Sequence, residues 1–300
     1  MKIIFVYFVS ISLLFAQKKA DQKDWQQLFN GSDLTGWDIK IAGQPVNDNY
    51  KNTFRVQDRM LRVMYDEYQN FDDKYGHLYY KTPYSYYILK YQYRFRGSQT
   101  KGGAVWNVRN SGVMFHSQSA QSLSFNQGFP VSLEMQLLGG LGKGGNAGAT
   151  RHTGNLCTPG TQVSMKGGLR MEHCIDSDSK TYDGDQWINA ELIVLGDSIA
   201  HQIIEGDTVL TFEKLQVGGG FVGSGMNWKQ GGISDEHAEA WIKKGGTPLG
   251  EGYIALQAES HPIDFRNIEL LNLVGCRDPK ALNYKFYYQK SDNRACVYRK

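Results

Sequence analysis

The chain has 300 residues, with 33 Lys and Arg against 30 Asp and Glu and a formal net charge of +3. That near-balance gives no electrostatic reason to expect nucleic acid or an anionic membrane as a partner. The 18 Tyr and 6 Trp suit carbohydrate stacking and an ordinary β-sandwich core equally.

Met1-Lys2 precedes an apolar run from Ile3 to Ala16, which turns polar at Gln17-Lys18-Lys19. A basic start, a short apolar stretch and a small residue before a polar segment describe a secretory signal peptide over residues 1–16. The run is too short for a comfortable membrane span, and no Cys follows it for lipid attachment. The expected chain is therefore exported, periplasmic or secreted. Residues 17–23 are a polar lead-in, and the rest of the chain is long enough for one large all-β domain. In an exported chain Cys157, Cys174, Cys276 and Cys296 read as disulfide partners, because zinc ligands would be spaced more tightly. Four cysteines allow three pairings. Their clustering favours Cys157 with Cys174 and Cys276 with Cys296.

Trp25 to Trp37 alternates apolar residues with turns at Asn30-Gly31 and Gly36, and Phe54 to Val63 has the pattern of a hairpin. Tyr86 to Arg96 is the longest strand signal. Its Tyr87, Leu89, Tyr91, Tyr93 and Phe95 fall on one face, with Lys90, Gln92, Arg94 and Arg96 on the other, as in a half-exposed antiparallel sheet. Asn110-Ser111-Gly112-Val113-Met114-Phe115-His116 reads as a turn entering a strand, with Met114 and His116 sharing a face. From Pro130 to Leu138, alternation puts Ser132, Glu134 and Gln136 opposite Leu133, Met135 and Leu137. An unpaired buried carboxylate is costly. Glu134 therefore either meets water on an open sheet face or lies on the floor of a cleft.

The glycine-rich run from Gly139 to Gly148 lacks a Gly-Lys-Ser/Thr ending and reads as a loop at the rim of a site, not a phosphate loop. Asp176, Asp178, Asp183 and Asp185 miss the helix-loop-helix calcium spacing, so a solvated turn is the default. Trp187 to Leu195, Ser198 to Ile204 and Thr208 to Phe212 are strands joined by hairpin turns. A helix is expected near Asp235 to Lys244, capped by Ser234 and stopped at Gly245. Gly252 to Glu259 and Ile263 to Leu270 are the closing strands. Many short strands, glycine turns and one short helix describe an all-β sandwich of antiparallel sheets.

Leu28-Phe29-Asn30-Gly31-Ser32-Asp33-Leu34-Thr35-Gly36-Trp37, Asn110-Ser111-Gly112-Val113, Glu134-Met135-Gln136-Leu137, and Leu256-Gln257 through Phe265-Arg266-Asn267-Ile268 together resemble the 3-keto-disaccharide hydrolase domain family. The likeness spans residues 24–273 in the family's order. It implies a concanavalin A-like jelly roll with a sugar-binding face. Two departures stand out: His116 sits where many members carry Arg, and Thr153 to Thr161 with His173-Cys174 looks like a subgroup insertion. Residues 274–300 resemble a small Cys-bracketed module at the ends of secreted Bacteroidetes-type proteins, which supports the Cys276–Cys296 pairing.

The resemblance implies action on glycosides oxidised at C3. The ketone acidifies the C2 proton, so a base can remove it, the C1 substituent can leave, and water can add back. Such a route needs one base, an acid for the leaving oxygen and a group that stabilises the enolate. Glu134 is the expected base. His116 is the expected acid or a metal ligand, and Arg266 the enolate stabiliser. Asn110, Gln136, Gln257, Glu259 and His261 are expected to bind substrate, the last three sharing a face if the strand continues through Ser260. His152 and His173 could rim the pocket. The residues name no definite cofactor, and a divalent metal bound by His and Glu stays open for want of a tight ligand motif. The alternative is a non-catalytic carbohydrate-binding module. A conventional glucanase would want a second acid close to Glu134, and Gln136 to Leu138 supply none.

Overall fold

The structure is a computed structural model that describes residues 20–142, 150–218, 220 and 228–299. The expected signal peptide and most of the expected glycine-rich loop lie outside the described residues.

Two antiparallel sheets face each other across one core. The larger runs in the spatial order Gly168–Arg170, Thr161–Met165, Asp207–Val217, Ile199–Ile204, Ile188–Leu195, Tyr86–Phe95, Ile263–Asn272, Met60–Val63 and Phe54–Gln57, with Gln26–Gln27 also paired to Ile263–Asn272. The smaller runs Cys174–Ile175, Asn155–Cys157, Leu133–Leu138, Asn110–Ser117, Tyr253–Ala258, Gly76–Tyr80 and Trp37–Ile41. This is the expected all-β jelly-roll sandwich.

Period-2 alternation builds the core as the sequence suggests. Tyr87, Leu89, Tyr91, Tyr93 and Phe95 from the larger sheet meet Val113, Phe115, Leu133, Met135 and Leu137 from the smaller. The Tyr91 hydroxyl donates to Met135 Sδ at 3.3 Å across the layers. Phe115 and Phe212 bring their ring centroids to 6.2 Å. Cutting Phe115 to Ala would cost about 3–5 kcal/mol through lost burial and the void left behind. The Phe54–Gln57 and Met60–Val63 hairpin closes through Asp58 and Arg59, both at positive φ, the backbone that a two-residue turn needs to match strand twist.

The α-helix Asp235–Ile242 follows Ser234, whose side chain accepts from the His237 N–H, as its sequence predicts. Among the described residues no helix is long and apolar enough to cross a membrane.

Both favoured disulfides are present: Cys157–Cys174 joins directly paired strands, and Cys276–Cys296 closes the C-terminal segment. That segment packs onto the outer face of the larger sheet, where Tyr287 clusters with Ile88, Ile193, Leu195, Ile203, Leu271 and Leu273. Lys285 pairs with Asp24 at 2.9 Å and ties the segment to the start of the domain.

Candidate active site

Glu134 sits on the strand between Asn110–Ser117 and Asn155–Cys157, opposite Met114 on one side and Cys157 on the other. Leu133 and Met135 point into the core, so the alternation turns Glu134 to the outer face. It is nonetheless only 6 % exposed. Its side chain leans across Gly112, where an added Cβ would lie 2.7 Å from Glu134 Cδ. Gly112 pairs with Gln136, and Gln136 with Asn155, whose Nδ2 donates to Gln136 Oε1 at 3.1 Å. On the far side, Gln257 pairs with His77, which pairs with Lys40. A band of polar side chains thus crosses the smaller sheet.

A second carboxyl joins Glu134. Glu259 follows the strand Tyr253–Ala258, which lies beside Asn110–Ser117, and it is 2 % exposed. Both acids line one cavity of about 500 Å³. Burial pushes the Glu134 carboxyl up to about 8. Burial, and then the charge of Glu134, hold Glu259 well above the usual carboxylate range. The two acids therefore do not both ionise at neutral pH, because a second negative charge beside the first would be poorly solvated there.

Two walls enclose the acids. One comprises Pro159, His173 and the Cys157–Cys174 bridge; the other is aromatic, with Tyr75, Trp106 and Phe129. Tyr75 stacks near-parallel on Trp106, 8° apart, and lies 4.7 Å from Phe129. Asn107 Nδ2 donates to the Tyr75 hydroxyl at 3.2 Å. The buried Lys40 ammonium donates to the carbonyls of Ile41, Gln44 and Phe125, which pins the loop before Phe129 to the sheet.

Residues 24–271 match the profile of the 3-keto-alpha-glucoside-1,2-lyase-like domain. The chain belongs to that family. The 3-keto-alpha-glucoside-1,2-lyase-like domains are carbohydrate-active, which agrees with a cavity lined by carboxyls, amides and aromatics. No curated protein is significantly similar to the chain. Solved structures with a similar fold include a candidate glycosyl hydrolase from Parabacteroides distasonis, at 16 % identity and TM-score 0.48, covering 83 % of this chain and 98 % of that one. A galectin-like protein of unknown function from Bacillus subtilis has 13 % identity and TM-score 0.47, covering 83 % and 94 %. The Bacillus subtilis carbohydrate-binding module CBM66 has 10 % identity and TM-score 0.41, covering 79 % and 96 %. These likenesses are too distant to assign chemistry.

Within this family member the expected site residues divide. Glu134, Gln136, Asn110 and Glu259 line the cavity, as does His173. Gln257 is fully buried on the adjoining strand, and neither atom of its amide has a hydrogen-bond partner among the described residues.

Four expected residues stand elsewhere. His116 does not share the face of Met114: it has φ +46 at a bulge where the pairing with Tyr253–Ala258 shifts register. Its ring turns to the Gly196 carbonyl at 3.0 Å and packs against Tyr87, and burial lowers it to about 4. Arg266 belongs to the larger sheet. Its Nε donates to Gln92 Oε1 at 2.7 Å and its guanidinium lies 3.9 Å over the Trp187 ring, so the enolate role expected of it has no geometric basis. His261 does not continue the face of Gln257 and Glu259, because the strand ends at Ala258 and Ser260 adopts φ +71. It packs edge-on to Phe95. His152 meets the Ser179 carbonyl and supports a turn outside the cavity wall.

For the divalent metal left open by the sequence, the described residues offer no free group of three convergent His, Cys, Asp or Glu ligand atoms. Among the described residues, the one convergent group of three His, Cys, Asp or Glu ligand atoms is Cys157, His173 and Cys174, and both sulfurs are committed to the disulfide. The acids from Asp176 to Asp185 form no such group.

Sequence reasoning missed the pairing of Glu134 with Glu259, the aromatic wall and the space left by Gly112. Val105-Trp106, an apolar pair between Gly102-Gly103 and Asn107, was the signal available for the wall.

Proposed function

We propose that the chain is an exported enzyme that cleaves the glycosidic bond of 3-keto-glycosides by elimination followed by hydration. The observation that carries this reading is the pair of buried carboxyls in one cavity, both held above the usual carboxylate range by burial, so that one ionises while the other keeps its proton. Elimination requires that difference. Ionised Glu134 takes the C2 proton, and the electron pair of that C–H bond delocalises into the C3 carbonyl as an enolate. As the C1–C2 double bond forms, the C1–O bond breaks and Glu259 gives its proton to the leaving oxygen. Water then adds at C1 and the proton returns to C2, for net hydrolysis.

Amide groups replace arginine as stabilisers of the enolate oxygen. Gln136 accepts from Asn155 through Oε1, which directs its NH2 group away from that bond, and Asn110 lies beside it in the cavity lining. Burial holds His173 neutral, so it contributes a hydrogen-bonding imidazole and no charge.

The test is incubation of the mature protein with a 3-keto-disaccharide and with its unoxidised parent. Release of sugar from the keto form alone is expected. Glu134→Gln and Glu259→Gln should each lose about 10²–10⁴ in turnover while keeping affinity. Cleavage of the parent as well would identify an ordinary glycosidase with paired acids. Saturable binding with no cleavage would identify a carbohydrate-binding module.

A further inference from the structure

We propose that Trp106 forms a stacking platform for the pyranose ring on the leaving side of the scissile bond. The inference rests on the reading of the cavity as a glycoside-cleaving site. Trp106 is 54 % exposed and Val105 88 % exposed, although most large apolar side chains of this sandwich are buried. Neither is left at the surface by a loose chain. The turn is anchored by fully buried Asn107, by Gln99 Nε2 donating to the Ala104 carbonyl at 2.7 Å, and by Asn110 Nδ2 donating to the Trp106 carbonyl at 3.3 Å. Gly103 packs so closely on Ser260 that a Cβ there would lie 2.8 Å from Ser260 Cβ. A rigid turn that presents an indole to solvent at the lip of a cavity is suited to the apolar C–H face of a sugar ring.

Position within the cavity assigns the side. Trp106 stacks on Tyr75, and its turn packs through Gly103 and Gln99 on Ser260, the residue after Glu259, the acid for the leaving oxygen. Glu134 is instead paired across the strands with Cys157, in the opposite wall. The ring that departs with the protonated oxygen therefore lies over Trp106, and the oxidised ring lies toward the disulfide. Substrates whose leaving group is itself a sugar are favoured over those with a small alkyl group.

Trp106→Ala should lower the ratio of kcat/KM for a 3-keto-disaccharide over that for methyl 3-keto-glucoside by roughly tenfold, mostly through KM, while Trp106→Phe keeps most of the preference. Equal losses on both substrates in a folded Trp106→Ala variant would overturn the platform. Binding of the unoxidised disaccharide to the Glu134→Gln protein, with and without Trp106→Ala, separates this inference from the reaction. Weaker binding without Trp106 supports the platform even if no keto substrate is turned over, and unchanged binding removes it.

Discussion

Glu134 occupies the volume that a side chain on Gly112 would need, so the glycine of one strand sets where the acid of the next strand lies. Gly112→Ala should displace the carboxylate without demanding a forbidden backbone, since Gly112 is not among the glycines at positive φ. Overpacking should cost about 1–3 kcal/mol. A misplacement near 1 Å should cost on the order of 10² in turnover. Thermal melting beside steady-state kinetics checks both. A folded Gly112→Ala protein with undiminished kcat would show that the carboxylate position is not critical.

The raised acids make a prediction about pH. Glu134 must be ionised to act as base, so kcat/KM should climb as pH rises toward about 8 and fall again once Glu259 loses its proton. Stability should move the other way. A carboxyl whose folded pKa exceeds its unfolded value contributes stability fully present below about 4.5 and lost as pH rises through about 8. Glu134→Gln should therefore melt higher than the parent at pH 8, and the gap should close near pH 4. Melting curves over that range are the measurement, and a gap that does not vary with pH would remove Glu134 as the group responsible.

Arg266 and His116 provide the complementary contrast. Arg266→Ala removes a stacked guanidinium from the larger sheet and should cost about 0.5–2 kcal/mol of stability with kcat essentially unchanged. His116→Ala strips a buried ring from the Gly196 carbonyl and should destabilise by about 1–3 kcal/mol. A large loss of kcat with little change in melting temperature, for either variant, would return it to the reaction.

The two disulfides should separate in the same assays. Replacing Cys157 and Cys174 by Ser loosens a cavity wall, so KM should rise along with a stability loss of about 3 kcal/mol. Replacing Cys276 and Cys296 should cost comparable stability and leave KM alone, because that bridge lies in the segment on the outer face of the larger sheet. Equal kinetic effects from the two pairs would contradict this division.

Local pattern made much of the fold legible. Tyr87 to Phe95 and Leu133 to Leu137 declare their inward faces by alternation alone, and Ser234 marks the start of the helix. Sheet membership is not local. Nothing in Ile263–Asn272 says that it pairs with Tyr86–Phe95 on the larger sheet, and that pairing takes Arg266 away from the acids. The second acid does not lie along the strand of Glu134, where sequence spacing would show it. Glu259 arrives across strands, through Asn110–Ser117 lying between the two. His116 and Ser260 escape the alternation rule through single residues at positive φ, which the rule does not contain.

The cystine-closed C-terminal segment also gives the molecule a front and a back. It covers the back of the larger sheet through Tyr287, while the cavity opens from the smaller sheet on the other side of the core. A chain held by this segment, on a resin, a partner or a cell surface, would aim its cavity mouth away from the support. Immobilisation through the segment should leave substrate access free, whereas attachment through the loop that carries Trp106 would close it.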